Sequence, residues 1–288
     1  MANSDGIPVW AYLDMEFEPV AWALVRGILV SADCASLDGQ GPAGFVSFMH
    51  AGIIMWDDGT RSFNESVIED IRATAFPHQV SRLRGLYFFA SKEEANAPLT
   101  QGWGGHFQEK NLLEFRLYPV GAVTKVDANW ITYAKRGSAG RIDSSDTSWI
   151  HAYWRGEVYP GRDPTWEVIA NGEAVALDVD IRRYCYDQLK RRFPESEVFL
   201  EMAHIAGEVG TKGGLIAPFV LQISANEAEL GYVLRYAELH DPATIALMAK
   251  HPSAGHLAWL MRENLSVRTP DLRPFFRRFV LKGGGVSV

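Results

Sequence analysis

The chain has only two cysteines, Cys34 and Cys185, in 288 residues. Two thiols cannot build a disulfide framework or a four-cysteine zinc site. No apolar run approaches the roughly 20 residues that a membrane-spanning helix needs, so none is expected. The first residues, MANSDGIPVWAYLDMEFE, contain neither a basic segment nor an apolar core of the secretory type. A cytoplasmic, reduced setting is the expectation. Several familiar motifs are missing too: G-x-x-x-x-G-K-[ST], H-E-x-x-H and G-x-S-x-G do not occur. Gly102, Gly104 and Gly105 follow no strand-then-helix pattern, which argues against a doubly wound dinucleotide fold. Eight histidines are scattered at 50, 78, 106, 151, 204, 240, 251 and 256 without ligand spacing, so no metal is expected. Asp178-x-Asp180 reads more simply as carboxylates at the positive end of a helix than as a cation site.

What the chain does have is ordinary globular composition, 47% hydrophobic and 22% charged, with a formal net charge of -7. The charge is uneven: through Leu177 there are 14 Lys+Arg against 22 Asp+Glu, and beyond it 14 against 13. Arg268, Arg273, Arg277, Arg278 and Lys282 cluster near the end with only Asp271 opposing them. Such a cluster fits a phosphate backbone or, more simply, a solvated and internally paired surface. Tryptophan divides the chain as well, with eight of nine at or before Trp166.

Short apolar runs punctuated by Gly, Asp and Asn predict strands at 22–30, 45–55 (ending at Asp57-Asp58-Gly59), 83–89, 112–120 and 167–177. Ser62-x-x-Glu65 and Ser91-x-x-Glu94 fit capping boxes, and a short helix from Asp146 should stop at Gly156. From about residue 180 the period becomes helical. Helices are expected over 181–193, 195–206, 226–239, after the Asp241-Pro242 cap, and over 253–264, with 207–217 a loop. The expected class is α+β, with a mixed domain over 1–178 and a mostly helical region over 179–288.

Two blocks carry a further signal. One runs from Ile68-Glu69-Asp70-Ile71-Arg72 through Phe76-Pro77-His78-Gln79-Val80-Ser81-Arg82-Leu83 to Leu86-Tyr87-Phe88-Phe89 and Glu94-Ala95. The other is Tyr153-Trp154-Arg155-Gly156 followed by Trp166-Glu167-Val168-Ile169-Ala170-Asn171-Gly172. Together they resemble a poorly characterised bacterial family with an ADP-ribosyltransferase-like domain, over roughly residues 20–178. The resemblance implies a split β-sheet core and a helical C-terminal extension that recognises a target. It also implies NAD as co-substrate and no metal, with a role as a toxin or anti-phage effector and a partner antitoxin or regulatory protein.

Under that resemblance Glu167 is the candidate catalytic residue, because a carboxylate beside the ribose stabilises an oxocarbenium-like state and can deprotonate the acceptor. The alternative places Glu167 at the solvent end of its strand. Arg26 and the Ser81-Arg82 pair are candidate diphosphate ligands, since a guanidinium grips phosphate bidentately. Tyr87 and Phe89, on one face of an expected strand, and Trp154, at a helix end, are candidates to flank the nicotinamide ring or else plain core. Many relatives that modify protein side chains carry Gln or Glu two residues before the catalytic glutamate. Thr165 stands there in this chain, which tilts the expected acceptor toward RNA or DNA over protein. The rival expectations are a non-catalytic binding or scaffold protein on the same fold, and a glycan-processing enzyme using Glu157 and Glu167.

Overall fold

A computed structural model describes residues 5–35, 44–56, 59–105, 107–143, 145–263 and 267–280. Asp57, Asp58, His106, Asn264 and Lys282, which figure in the expectations above, lie outside these residues. The class is α+β with antiparallel sheets, as expected.

The first half begins with β1 (Ile7–Tyr12), α1 (Glu18–Arg26), β2 (Ile28–Val30) and α2 (Ala32–Ala35). It continues with α3 (Phe48–Trp56), α4 (Thr60–Ala75), β3 (Leu86–Phe88) and α5 (Lys92–Thr100). Then follow β4 (Leu112–Asp127), α6 (Asn129–Thr132), α7 (Ser148–Trp154) and β5 (Trp166–Ala176). The strands form one sheet in the order β1-β4-β5-β2, with β3 also paired to β5. Thus β2 and β3 share one edge of β5. Ile28–Val30 covers 173–175 and Leu86–Phe88 covers 168–170, which leaves Asn171 and Gly172 at the junction. Opposite that junction β4 bulges: Pro119 pairs with Gly172 and Val123 with Ala170, so residues 120–122 stand opposite Asn171 alone. A bulge tolerates Pro119, which could not donate to a regular ladder.

Two segments expected as strands are largely helical: of 22–30 only Ile28–Val30 is a strand, and 45–55 is helix from Phe48 onward. All nine residues of α1 are buried, and α3 likewise carries apolar residues around most of its circumference. A helix without a polar face gives no 3.6-residue period to read. Pro19 near the start of α1 and Gly27 in the left-handed conformation after it mark its true ends. The Ser62 capping box is also corrected. Gly59 caps α4, so Ser62 lies inside the helix and Glu65 turns toward the core. In the second box Ser91 Oγ accepts from Glu94 N at 3.1 Å as expected, while Glu94 accepts from Ala90 N, one residue ahead of the cap.

The second half contains α8 (Val179–Arg192), α9 (Glu197–Glu208), β6 (Ile216–Ser224), β7 (Glu227–Leu234), α10 (Pro242–Met248), α11 (Ala254–Arg262) and β8 (Arg277–Val280). Asp178 and Asp241 cap α8 and α10 through backbone N–H groups, as their positions suggested. The expected helix over 226–239 is instead β7, the centre of a three-stranded antiparallel sheet β6-β7-β8. Its inward residues Ala228, Leu230 and Tyr232 alternate with Glu227 and Glu229, a period of two. The region is therefore mixed rather than mostly helical.

One face of the larger sheet (Leu113, Phe115, Leu117, Val168, Ala170, Ala174) packs into a core that runs from Val9 to Phe275. That core includes Phe199 and Ala203 of α9, and α8 and α9 both pack on α1. The core is continuous across position 178, which is the N-cap of α8. A second, smaller core lies on the opposite face of β5: Ile68 of α4, Trp149, Ile150, Tyr153 and Trp154 of α7, and Ile169. The candidate site forms within this second core.

Candidate functional site

Strand β5 presents Glu167, Ile169 and Asn171 to the smaller core, since alternate residues share a face. Glu167 sits opposite Val126 and Ile169 opposite Tyr87. The segment between α4 and β3 delivers Arg82 into the same layer. Its guanidinium is almost completely buried and makes four N–H···O contacts. Nε donates to Glu65 Oε2 at 2.8 Å and one terminal nitrogen to Glu65 Oε1 at 3.2 Å. The other donates to the Tyr153 hydroxyl at 2.6 Å and to Glu167 Oε2 at 3.2 Å. Tyr87 and Tyr153 place their rings 5.1 and 5.6 Å from the guanidinium carbon. Tyr87 also donates to the Arg82 carbonyl at 2.7 Å.

The electrostatics of the cluster separate its two carboxylates. Burial pushes the Glu167 carboxyl above the usual range, and the Arg82 contact only partly reverses this. Burial alone would raise Glu65 as well, but its closer engagement with Arg82 brings it below the usual range. Arg82 itself is pushed upward because its carboxylate and tyrosine neighbours outweigh its own desolvation. His50 of α3 is also fully enclosed. Burial pulls it down to about 4, with Glu65 and Arg82 acting on it in opposite directions. His50 Nδ1 is buried without a hydrogen-bond partner. The side chain of Glu167 keeps 14% of its surface exposed against 7% for Arg82.

The end of β5 that carries Glu167 is fixed by a third buried carboxylate. Asp127 accepts from the backbone N–H groups of Asn129, Tyr159 and Thr165 at 2.8–3.0 Å. This ties the 155–165 connection to the end of β4. Thr165 is buried, and its hydroxyl accepts from the Gln101 carboxamide at 2.6 Å.

Around the β2–β3 junction lies an open cleft of about 440 Å³. Its lining includes Asp33, Arg72, Gln79, Ser81, Arg84 and Asn171, together with the β4 bulge. Its cations already have partners: Arg72 holds Glu69 and the Gln79 carbonyl, and Arg84 holds Asp33. Asn171 Oδ1 is buried there without a partner. Glu167 and Arg82 do not line this cleft; Ser81, next to Arg82, does.

The chain matches no protein-family model, and no curated protein is significantly similar to it. Function therefore has to be read from the residues.

Of the residues singled out from sequence, the fold brings together Glu167, Arg82 and Tyr87, with Ser81 at the edge of the adjoining cleft. The others are elsewhere. Arg26 ends helix α1 rather than a strand and donates to the carbonyls of Gly213 and Thr211. Burial lowers its pKa to about 10, and it shares no partner with Arg82. Phe89 does not share Tyr87's face, because β3 ends at Phe88 and Phe89 pairs with Trp10 of β1. It packs against Tyr12 in a satellite core. Trp154 is fully buried and donates to the Ile68 carbonyl at 3.1 Å, a core role. Arg82 also departs from the diphosphate reading, since its donors are engaged with Glu65, Glu167 and Tyr153.

Sequence reasoning gave Glu65 only a capping role and His50 only a place among scattered histidines, and it chose Trp154 where its neighbour Tyr153 reaches the cluster. The available signal for Glu65 was a carboxylate on an otherwise inward-facing helical stripe with Ile68; the Ser62 spacing masked it. Among the described residues, no three His, Cys, Asp or Glu side chains are grouped to hold a metal ion. No helix there is long and apolar enough to cross a membrane.

Proposed function

We propose that the chain is an NAD-dependent ADP-ribosyltransferase with Glu167 as its catalytic carboxylate. The observation that carries this reading is a partly exposed glutamate of raised proton affinity. It is held by a buried arginine on the face of β5 that leads to the junction cleft. A largely buried carboxylate with raised proton affinity and a specific charge partner is a functional-site candidate on physical grounds. The separation of β2 from β3 along β5 supports an ADP-ribosyltransferase-like split sheet. The cleft volume lies within the range for small-molecule sites.

In the proposed reaction the bond between ribose C1′ and the nicotinamide nitrogen breaks, and its electron pair leaves with nicotinamide. A lone pair of the acceptor forms the new bond to C1′, and the acceptor's proton passes to Glu167. Arg82 positions Glu167 in this scheme. Ser81, Gln79 and Asn171 supply the polar edge toward the cleft. Two residues of the basic C-terminal cluster, Arg273 and Arg278, are paired with Asp271 and Glu229. That pairing removes much of the argument for a nucleic-acid acceptor, and the proposal extends to a macromolecular acceptor of either kind.

The test is incubation with labelled NAD and cell extract, reading nicotinamide release and label on macromolecules. Glu167→Gln should lower turnover by at least ~100-fold, the usual scale for removing a general base. Equal activity in the two proteins would overturn the assignment. Sensitivity of the label to nuclease or to protease identifies the acceptor class. A second reading, a non-catalytic binding protein, is favoured by the absence of Glu167 from the cleft lining. Binding of a ligand in the cleft without any turnover would select it.

A further inference from the structure

The two carboxylates on Arg82 are held in unequal ways. Glu65 sets both oxygens against the edge formed by Nε and one terminal nitrogen, at 2.8 and 3.2 Å. Glu167 meets only the other terminal nitrogen, at 3.2 Å, and shares it with the Tyr153 hydroxyl. A bidentate contact fixes a guanidinium in both position and plane, whereas a single shared contact does not. Glu65 is also the more deeply enclosed of the two, 8% exposed against 14%.

We infer that Glu65 is the positioning residue of the site. It clamps Arg82 from the inner side, so that Glu167 receives one shared contact and not a bidentate one. The inference rests on the reading of Glu167 as the reactive carboxylate. It adds the group that keeps this carboxylate available for proton transfer.

The physical argument is one of competition. A single buried guanidinium between two carboxylates cannot neutralise both, and the pair carries a net negative charge that each feels from the other. Arg61 of α4 and Arg136 add positive charge near Glu65, which holds it ionised, and the remaining neighbours are compatible with this division. Tyr87 of β3 and Tyr153 of α7 are neutral phenols whose deprotonation burial opposes. Asp127 of β4 is occupied by three backbone N–H groups. His50 of α3 is kept neutral by burial. Removing the Glu65 charge would hand Arg82 to Glu167, turning a proton-exchanging group into a spent counter-ion.

The experiment uses the full chain with glutamate side chains labelled with ¹³C at the carboxyl. Glu167 is assigned by its disappearance in E167Q. In wild type its titration midpoint should lie above that of an ordinary glutamate. In E65Q it should fall by about one unit or more, a tenfold change in proton affinity. In E65D, which keeps the charge, it should remain raised. An unchanged midpoint in folded E65Q overturns the inference.

Should E65Q fail to fold, E167Q decides. The Arg82 Nε–H must stay protected from solvent exchange there, because its clamp is Glu65; loss of protection overturns the inference. None of these measurements uses NAD. Absence of nicotinamide release with the expected titration would remove the transferase reading alone. NAD turnover with an unchanged midpoint would remove the positioning role alone.

Discussion

Arg82 and Glu167 come from segments 85 positions apart and meet at 3.2 Å beneath the sheet, with both side chains largely withdrawn from water. Such a contact is costly to break from one side only. Arg82→Met would leave Glu65 and Glu167 buried with no cation, a loss expected to be about 3–5 kcal/mol. In that variant both carboxyls would have folded-state pKa values above their unfolded ones. The penalty should therefore be greatest at neutral pH and shrink as pH falls toward the ordinary glutamate range. Urea unfolding of both proteins at pH 7 and pH 5 measures it, and a deficit that does not shrink would show that the charges are not its source.

His50 should make the fold sensitive to acid. Its folded-state pKa is pulled by burial from 6.5 to about 4, so the folded protein binds fewer protons than the unfolded chain between those values. The associated stability is fully present above pH 6.5. It is lost as pH falls toward 4, by ~3 kcal/mol at most. His50→Leu, which also removes the unpartnered Nδ1, should flatten this part of the stability–pH curve. Thermal unfolding of both proteins from pH 7.5 to 4.5 makes the comparison, and parallel curves would exclude His50.

Asp127 holds the connection that leads into Glu167. Asp127→Ala removes the acceptor of three backbone N–H groups, two of them ahead of β5 at Tyr159 and Thr165. A loss of ~3 kcal/mol or more is expected, since hydrogen bonds to charged groups contribute about 1.5–3 kcal/mol each. Hydrogen exchange should accelerate first at residues 155–165. Acceleration spread evenly over the molecule would point to a general loss of stability and not to a local tether.

Gly172 sits where β2 and β3 part. Its φ is 145°, and a Cβ there would lie 2.3 Å from the Tyr118 carbonyl oxygen. Gly172→Ala should cost at least about 1–3 kcal/mol, the usual range for overpacking. The neighbouring Asn171 should lose its place in the cleft. Equilibrium unfolding gives the first quantity and crystallography of the variant the second; a fully stable variant would show that the β4 bulge can yield.

Some of this was readable along the chain because it depends on neighbours in sequence. The Ser91, Asp178 and Asp241 caps and the Gly156 stop were legible, because a cap is a contact among residues two or three apart. Strands 112–120 and 167–177 were legible as well, although β4 continues through its bulge to Asp127. Helices α1 and α3 were not, because burial of all of α1 and the apolar residues around most of α3 leave no periodic polar face. For β7 the period-two alternation was present, but the surrounding helical segments outweighed it.

The sequence by itself determined the class, several caps, and the presence of a glutamate at the start of an apolar strand. Only the tertiary structure decided which arginine meets Glu167, that Glu65 and not a phosphate fills the rest of Arg82, and that Arg26 belongs to another core. The physical reason is desolvation. A charge taken out of water must find its partners in space, and those partners sit on α4, α7 and β5, whose approach is set by packing and not by distance along the chain.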